Sequence, residues 1–197
     1  MTVLGITGGV GSGKSRIVRL IAEVTGGRIF EADRAGHVVM DPGTECYEQV
    51  LAEFGQDLKL PDGKIDRKKL GGIVFNDRAK LEKLNSFIYP ALDAMTDVFI
   101  EQAAAEGCPL VLLEAAMPGL KLSQASDEIW YVHADREVRI ARLMDSRGYT
   151  RERCEEMISK QLSDAEYRGY AAEVIENSGA WEDTEDAVRK LCQRKFG

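Results

Sequence analysis

The apolar positions of this chain alternate between two periods. Val3-Leu4-Gly5-Ile6-Thr7 is a short apolar run that reads as a strand. Ile17, Val18, Leu20, Ile21 and Val24 then recur at spacings that place them on one face of a helix. Arg28-Ile29-Phe30-Glu31-Ala32-Asp33 predicts a second short strand ending in a carboxylate. Asp41-Pro42-Gly43-Thr44 marks a turn, Glu45 to Phe54 a helix closed by Gly55, and Pro61-Asp62-Gly63 another turn. From Asp66 to Ala105 the pattern is almost wholly helical, with interruptions expected at Asn76-Asp77 and at Pro90. Leu81, Leu84 and Ile88 form one stripe there; Leu92, Met95, Phe99 and Ala103 form another.

Leu110-Val111-Leu112-Leu113-Glu114 is an unbroken apolar run ending in an acid, the look of a parallel strand buried on both faces. Ile129 to Val132 and Val174-Ile175 predict two further strands. Asp135 is placed to cap the helix after the former, and the C-terminal helix is expected from Asp183. Strands alternating with helices predict an α/β fold with a parallel sheet covered on both faces. Ligands of such sheets sit beyond the carboxyl ends of the strands. The segment after the first strand, Asp33, Glu114 and His133 all fall at or just after such ends and are expected to face one crevice.

Composition narrows the classes. The 197 residues are 44% hydrophobic, enough for one domain with a real core. Lys and Arg number 26 against 33 Asp and Glu, a net charge of −7 that argues against a nucleic-acid partner. No apolar run approaches the roughly 20 residues that span a bilayer, so no membrane partner is expected. Cys46, Cys108, Cys154 and Cys192 are scattered, no C-x-x-C pair occurs, and only His37 and His133 could supplement them, which disfavours a zinc site. Reduced thiols and a cytoplasmic location are the expectation.

Residues 8–15 read Gly8-Gly9-Val10-Gly11-Ser12-Gly13-Lys14-Ser15, a complete Gly-x-x-x-x-Gly-Lys-Ser phosphate-binding loop in the required order of strand, loop and helix. Its glycines let consecutive amides turn around an anion, and the following helix adds the positive end of its dipole. Lys14 is suited to the β- and γ-phosphates of a nucleotide, and the Ser15 hydroxyl to the shell of a magnesium ion. No Asn-Lys-x-Asp tetrapeptide for guanine is present, which points away from a GTPase. An arginine-rich stretch follows the fourth predicted strand: Arg136, Arg139, Arg142, Arg147, Arg151 and Arg153. Phosphoryl transfer needs positive charge around the migrating group, and an arginine lid hinged at Gly148 supplies it. Arg142 and Arg147 are the expected lid residues, with Arg136 and Arg153 facing solvent.

Asp33 is the candidate general base, since a hydroxyl acceptor needs a carboxylate to take its proton and orient it; capping the next helix is a compatible alternative. Glu114 is the candidate magnesium ligand, direct or through water, with a turn or cap role as its alternative. His133 reads as a strand-end residue with a satisfied hydrogen bond. His37 reads equally as a helix-surface residue or a substrate contact.

Together these residues resemble the dephospho-coenzyme A kinase family. The likeness runs from Thr7 to Ser15, through Ala32-Asp33, His37 and Asp41-Pro42-Gly43, to Asn85-x-x-Ile88-Tyr89-Pro90. It continues in Arg142-Leu143-x-x-x-Arg147, Gln161 and Val174-Ile175-x-Asn177-x-Gly179. The resemblance implies a three-layer P-loop kinase fold with a parallel sheet, a helical substrate-binding segment and a lid. It implies ATP-dependent phosphorylation of the ribose 3′-hydroxyl of dephospho-coenzyme A, with Mg²⁺ accompanying ATP. Asp33 would be the base, with Lys14 and Arg142 also catalytic. Gly9, Val10, Gly11, Ser12, Gly13, Lys14, Ser15, Arg16, Arg147 and Asn177 would bind ATP, Asn177 near the adenine. Asp33, His37 and Tyr89 would face the acceptor.

The expected organisation is a single domain over 1–197, with a core of 1–40, 108–138 and 170–197, a helical region of 41–107 and a lid of 139–169. A monomer is favoured. Some positions depart from the family pattern. Tyr89 stands where histidine is usual, and Ala115-Ala116-Met117-Pro118-Gly119 where Pro-Leu-Leu-x-Glu is usual. Arg139 stands for a frequent glutamine and Glu173 for an aspartate. Two alternatives remain at this level: a related kinase acting on another nucleoside or nucleotide, and a nucleotide-binding protein without kinase activity.

Overall fold

A computed structural model describes residues 1–75, 77–118 and 120–197. Asn76 and Gly119, which the sequence pattern assigned to a break and to the altered 115–119 segment, lie outside the described residues. The chain divides into two compact units, one of residues 1–31 and 100–197, the other of residues 32–99.

In the first unit, five strands among the described residues form one parallel sheet in the order β2-β3-β1-β4-β5. They are β1 (Thr2–Thr7), β2 (Arg28–Glu31), β3 (Leu110–Ala115), β4 (Glu128–His133) and β5 (Glu173–Glu176). The apolar runs become the inner strands because each is covered on both faces, and Leu4, Ile6, Leu112, Trp130 and Val132 are fully buried. Helix α1 (Lys14–Thr25) packs Ile17, Val18 and Ile21 into that core and ends at Gly26 in the left-handed conformation, φ 70°. Trp130 stacks on Phe196, whose helix α10 (Trp181–Phe196) starts two residues earlier than the sequence pattern suggested. Ala180 stands at its N-cap and supplies no side-chain capping bond, and Glu182 and Asp183 complement the helix dipole.

The rest of this unit is helical. It holds α6 (Leu120–Ala125), α7 (Arg136–Arg147), α8 (Arg151–Ser159) and α9 (Asp164–Tyr170). Asp135 stands at the N-cap of α7, but its side chain makes no capping bond; its amide donates instead to Ser178 Oγ at 2.8 Å. Gly148 closes α7 in the left-handed region, φ 62°.

The second unit holds α2 (Ala32–Val38), α3 (Glu45–Phe54), α4 (Arg67–Val74) and most of α5 (Arg78–Ala105) around a core of its own, including Tyr47, Val50, Leu51, Leu58, Leu70 and Leu84. Thr44 caps α3 by accepting from the Tyr47 amide at 3.1 Å. The Tyr47 hydroxyl ties the 61–63 turn by donating to Gly63 O.

Three expectations are corrected. Strand β2 stops at Glu31, so Asp33 sits in the first turn of α2 rather than at a strand end; an acid there is favoured by the helix dipole. Helix α5 continues through Pro90. Phe87, Ile88, Ala91 and Met95 pack onto the core on either side of it, and their burial outweighs a missing N–H that costs about 3 kcal/mol. Leu81, one turn from the start of α5, stays exposed while Leu84 is buried. All four cysteines are free, and burial pushes the Cys192 thiol up to about 11. Among the described residues no helix is long and apolar enough to cross a membrane.

Gly5 sits mid-strand because a Cβ there would lie 2.8 Å from Ser126 Oγ and 3.1 Å from Ile129 Cγ1. Gly5→Val is expected to destabilise the protein by about 1–3 kcal/mol through overpacking, read as a lower urea midpoint at unchanged slope.

Candidate active site

The loop of residues 8–13 leaves the carboxyl end of the central strand β1 and enters α1 at Lys14. Gly11 and Gly13 lie in the left-handed region, φ 78° and 87°, which a glycine adopts without strain. They also permit close approach. A Cβ on Gly11 would meet the Arg139 carbonyl at 2.8 Å, one on Gly9 would strike the Arg139 guanidinium, and one on Gly13 would strike the Asn177 amide.

The loop is held from outside. The Val10 amide donates to Gln161 Oε1 at 3.0 Å, and Arg139 Nε donates to Val10 O at 2.8 Å. Arg139 Nη2 also donates to Gln161 Oε1. The Ser12 carbonyl accepts from Asn177 Nδ2 at 2.7 Å and, more weakly, from Arg142 Nη1 at 3.4 Å. Within the loop the Ser12 amide donates to Gly9 O. The Ser12 hydroxyl is buried and has no hydrogen-bond partner among the described residues.

Glu114 ties the loop to the sheet. It pairs in register with Ile6, across from β1. Its Oε1 accepts from Lys14 Nζ at 2.5 Å and from Ser15 Oγ at 2.8 Å, and both charged side chains are about nine-tenths buried, 11% and 8% exposed. So the lysine and hydroxyl that the motif reserves for phosphate and metal share one carboxylate oxygen. Just beyond, the Ala116 carbonyl accepts from Tyr167 Oη at 2.9 Å and Thr7 Oγ1 at 3.4 Å. Tyr167 in turn stacks on Tyr131, centroids 4.9 Å apart.

Of the residues singled out from the sequence, Gly9 to Ser15, Glu114, Arg142 and Asn177 come together here. Arg16 lies at the start of α1 with its guanidinium 3.5 Å from the centre of the Trp181 ring. Arg147 is exposed in the last turn of α7. Arg136 and Arg151 pair with Glu137 and Glu155, and Arg153 lies over the Tyr149 ring. The His133 side chain does not join Lys14 and Glu114. It lies 3.5–3.7 Å from the carboxylates of Asp135, Asp164 and Glu176, while its carbonyl accepts from the Asn177 amide.

Asp33, His37 and Tyr89 belong to the second unit. Asp33 and His37 are exposed and one turn apart on α2, and the His37 carbonyl accepts from Arg67 at 2.8 Å. Tyr89 is 57% exposed on α5. Sequence reading did not find the Arg139–Gln161 pair or Trp181. Arg139 read as one more charge on a helix face, and nothing local ties it to a glutamine 22 positions on.

Comparisons with known proteins agree with this geometry. A family model described as dephospho-CoA kinase matches residues 2–183. The dephospho-CoA kinase of Geobacter sulfurreducens is 31% identical over 197 residues, covering 100% of both chains. The solved dephospho-CoA kinase from Campylobacter jejuni superposes with a TM-score of 0.73 at 22% identity, covering 98% of this chain and 96% of that one. The shikimate kinase from Acinetobacter baumannii gives 0.55 at 13% identity, covering 100% and 93%, a likeness of fold. The architecture is thus α/β, of the P-loop kinase type.

Because Lys14 and Glu114 are buried together, removing one partner leaves the other charge uncompensated. Glu114→Leu is expected to lower unfolding free energy by about 3 kcal/mol, and Lys14→Met combined with Glu114→Leu by clearly less. A loss in the double variant equal to the sum of the losses in Lys14→Met and Glu114→Leu alone would show that the pair is not coupled.

Proposed function

This chain belongs to the dephospho-CoA kinase family, and we propose that it moves the γ-phosphoryl group of ATP to the ribose 3′-hydroxyl of dephospho-coenzyme A through the residues assembled above, giving coenzyme A and ADP. The observation that carries the reading is the convergence of Lys14 and Ser15 on Glu114 beside a glycine-rich loop whose Val10 and Ser12 carbonyls are tied to Arg139 and Asn177.

ATP lays its phosphates on the amides of Gly9, Gly11, Gly13, Lys14 and Ser15, while those of Val10 and Ser12 hold the loop through Gln161 and the Gly9 carbonyl. Lys14 leaves Glu114 for the β- and γ-phosphates, a trade of one anionic partner for another. Arg142, beside the Ser12 carbonyl, adds positive charge as the γ-phosphoryl migrates, while Arg16, Arg147 and Asn177 complete the nucleotide side. Asp33 accepts the proton of the 3′-hydroxyl and orients its oxygen for in-line attack. His37 and Tyr89 hold the acceptor. Ala116, one of the residues that depart from the family pattern, is held through its carbonyl by the hydroxyls of Tyr167 and Thr7.

Hard oxygen donors suit Mg²⁺, which is held by one or two protein oxygens together with substrate phosphates. Ser15 Oγ and Glu114 Oε1, in contact with each other, meet that requirement, and no group of three or more His, Cys, Asp or Glu among the described residues forms a dedicated cage. Ser15 and Glu114 would hold the ion, directly or through water. When bound, it neutralises charge on the β- and γ-phosphates. We further read the chain as one kinase domain with core, helical acceptor region and a lid over α7 to α9, acting as a monomer in the cytoplasm.

Asp33→Asn is expected to abolish turnover in a coupled assay with ATP, dephospho-coenzyme A and magnesium, while ATP affinity stays within a few-fold. Retained turnover would remove Asp33 from the mechanism. In a panel of acceptors with labelled ATP, dephospho-coenzyme A is expected to be the best. A better pyrimidine nucleoside or nucleoside monophosphate would replace the acceptor assignment.

A further inference from the structure

Arg139 is 8% exposed, and among the described residues no carboxylate pairs with it. Its bonds go to neutral groups, the Val10 carbonyl and Gln161 Oε1. Burial pulls its pKa down, yet a guanidinium keeps its proton in any protein environment. A buried cation without a counter-ion is costly, and structures retain one where something else cancels the charge. Here that cation lies against the backbone of the phosphate loop. A side-chain atom added to Gly9 would collide with the guanidinium, and the Arg139 carbonyl is within 2.8 Å of where a Gly11 Cβ would stand.

The same side chain also sets loop geometry. Both polar groups of the Val10 peptide unit are taken: its N–H by Gln161 and its C=O by Arg139, with Arg139 and Gln161 bonded to each other. This closed ring fixes Val10 without spending a side chain of the loop itself. We propose that Arg139, aligned by Gln161, is a positioning residue for ATP that clamps Val10 and lends the loop a positive charge which the bound triphosphate balances. Neither residue touches the reacting atoms. The proposal rests on the loop being the ATP phosphate site, as read above.

Arg139→Gln keeps an N–H donor of shorter reach and removes the charge; Arg139→Lys keeps the charge and loses the planar fork. With the full chain, ATP dissociation constants, KM for each substrate, kcat and the unfolding midpoint of the nucleotide-free protein are measured. Arg139→Gln is expected to raise Kd and KM for ATP about 3- to 30-fold, the size of one charge acting across a loop at intermediate dielectric. KM for dephospho-coenzyme A should stay within twofold, and the nucleotide-free midpoint should stay the same or rise, since an uncompensated charge has gone. Arg139→Lys should recover at least half of the lost ATP affinity. An unchanged ATP Kd in Arg139→Gln, or a loss shared equally by both substrates with a fallen midpoint, would overturn the proposal. Wild-type protein that binds no ATP would instead overturn the assignment of the loop.

Discussion

A loop that turns some of its amides toward a triphosphate has to be held in shape by its remaining backbone groups and by the residues packed against them. Every buried backbone polar group needs a partner, and here the partners come from three directions: Gln161 and Arg139 on Val10, Asn177 and Arg142 on the Ser12 carbonyl, and an internal bond from Ser12 to Gly9. The glycines make this possible. A side chain at Gly9, Gly11 or Gly13 would occupy the space that the guanidinium, the α7 backbone and the Asn177 amide fill. Preorganisation of the loop is therefore a packing property of residues far away in the chain, and it lowers the ordering cost of binding.

Charge is arranged on the same principle. Lys14 and Ser15 share Glu114, so the cation of the loop is desolvated and paired within the protein itself. Exchange of one anion for another disturbs the electrostatic balance less than burying a bare charge would. Glu114 reaches that position because β3 pairs in parallel beside β1 with Ile6 opposite Glu114. A register shifted by one residue would send the carboxylate to the other face of the sheet.

The second unit carries the groups read as acceptor-facing on a separate helical core. Thr44 and Asp66 cap its helices, and Tyr47 and Leu58 fill it. Asp33 stands only two residues past Glu31, the last residue of β2, whose partner in register is Glu114.

Sequence alone determined the features that depend on neighbours along the chain. The loop motif, the apolar runs of β1, β3 and β4, helix α3 from Glu45 to Phe54 and the parallel α/β class were legible because period, turn residues and caps are local signals. Tertiary structure decided where local signals conflict or fall silent. Pro90 stays inside α5 because burial of its neighbours outweighs one missing hydrogen bond, and Asp33 opens a helix because β2 ends with its last register partner. Arg139, read as one arginine of the lid stretch, braces Val10, and His133 lies against Asp164 and Glu176. Which distant groups meet depends on strand order and helix packing, and no periodicity in the chain encodes that.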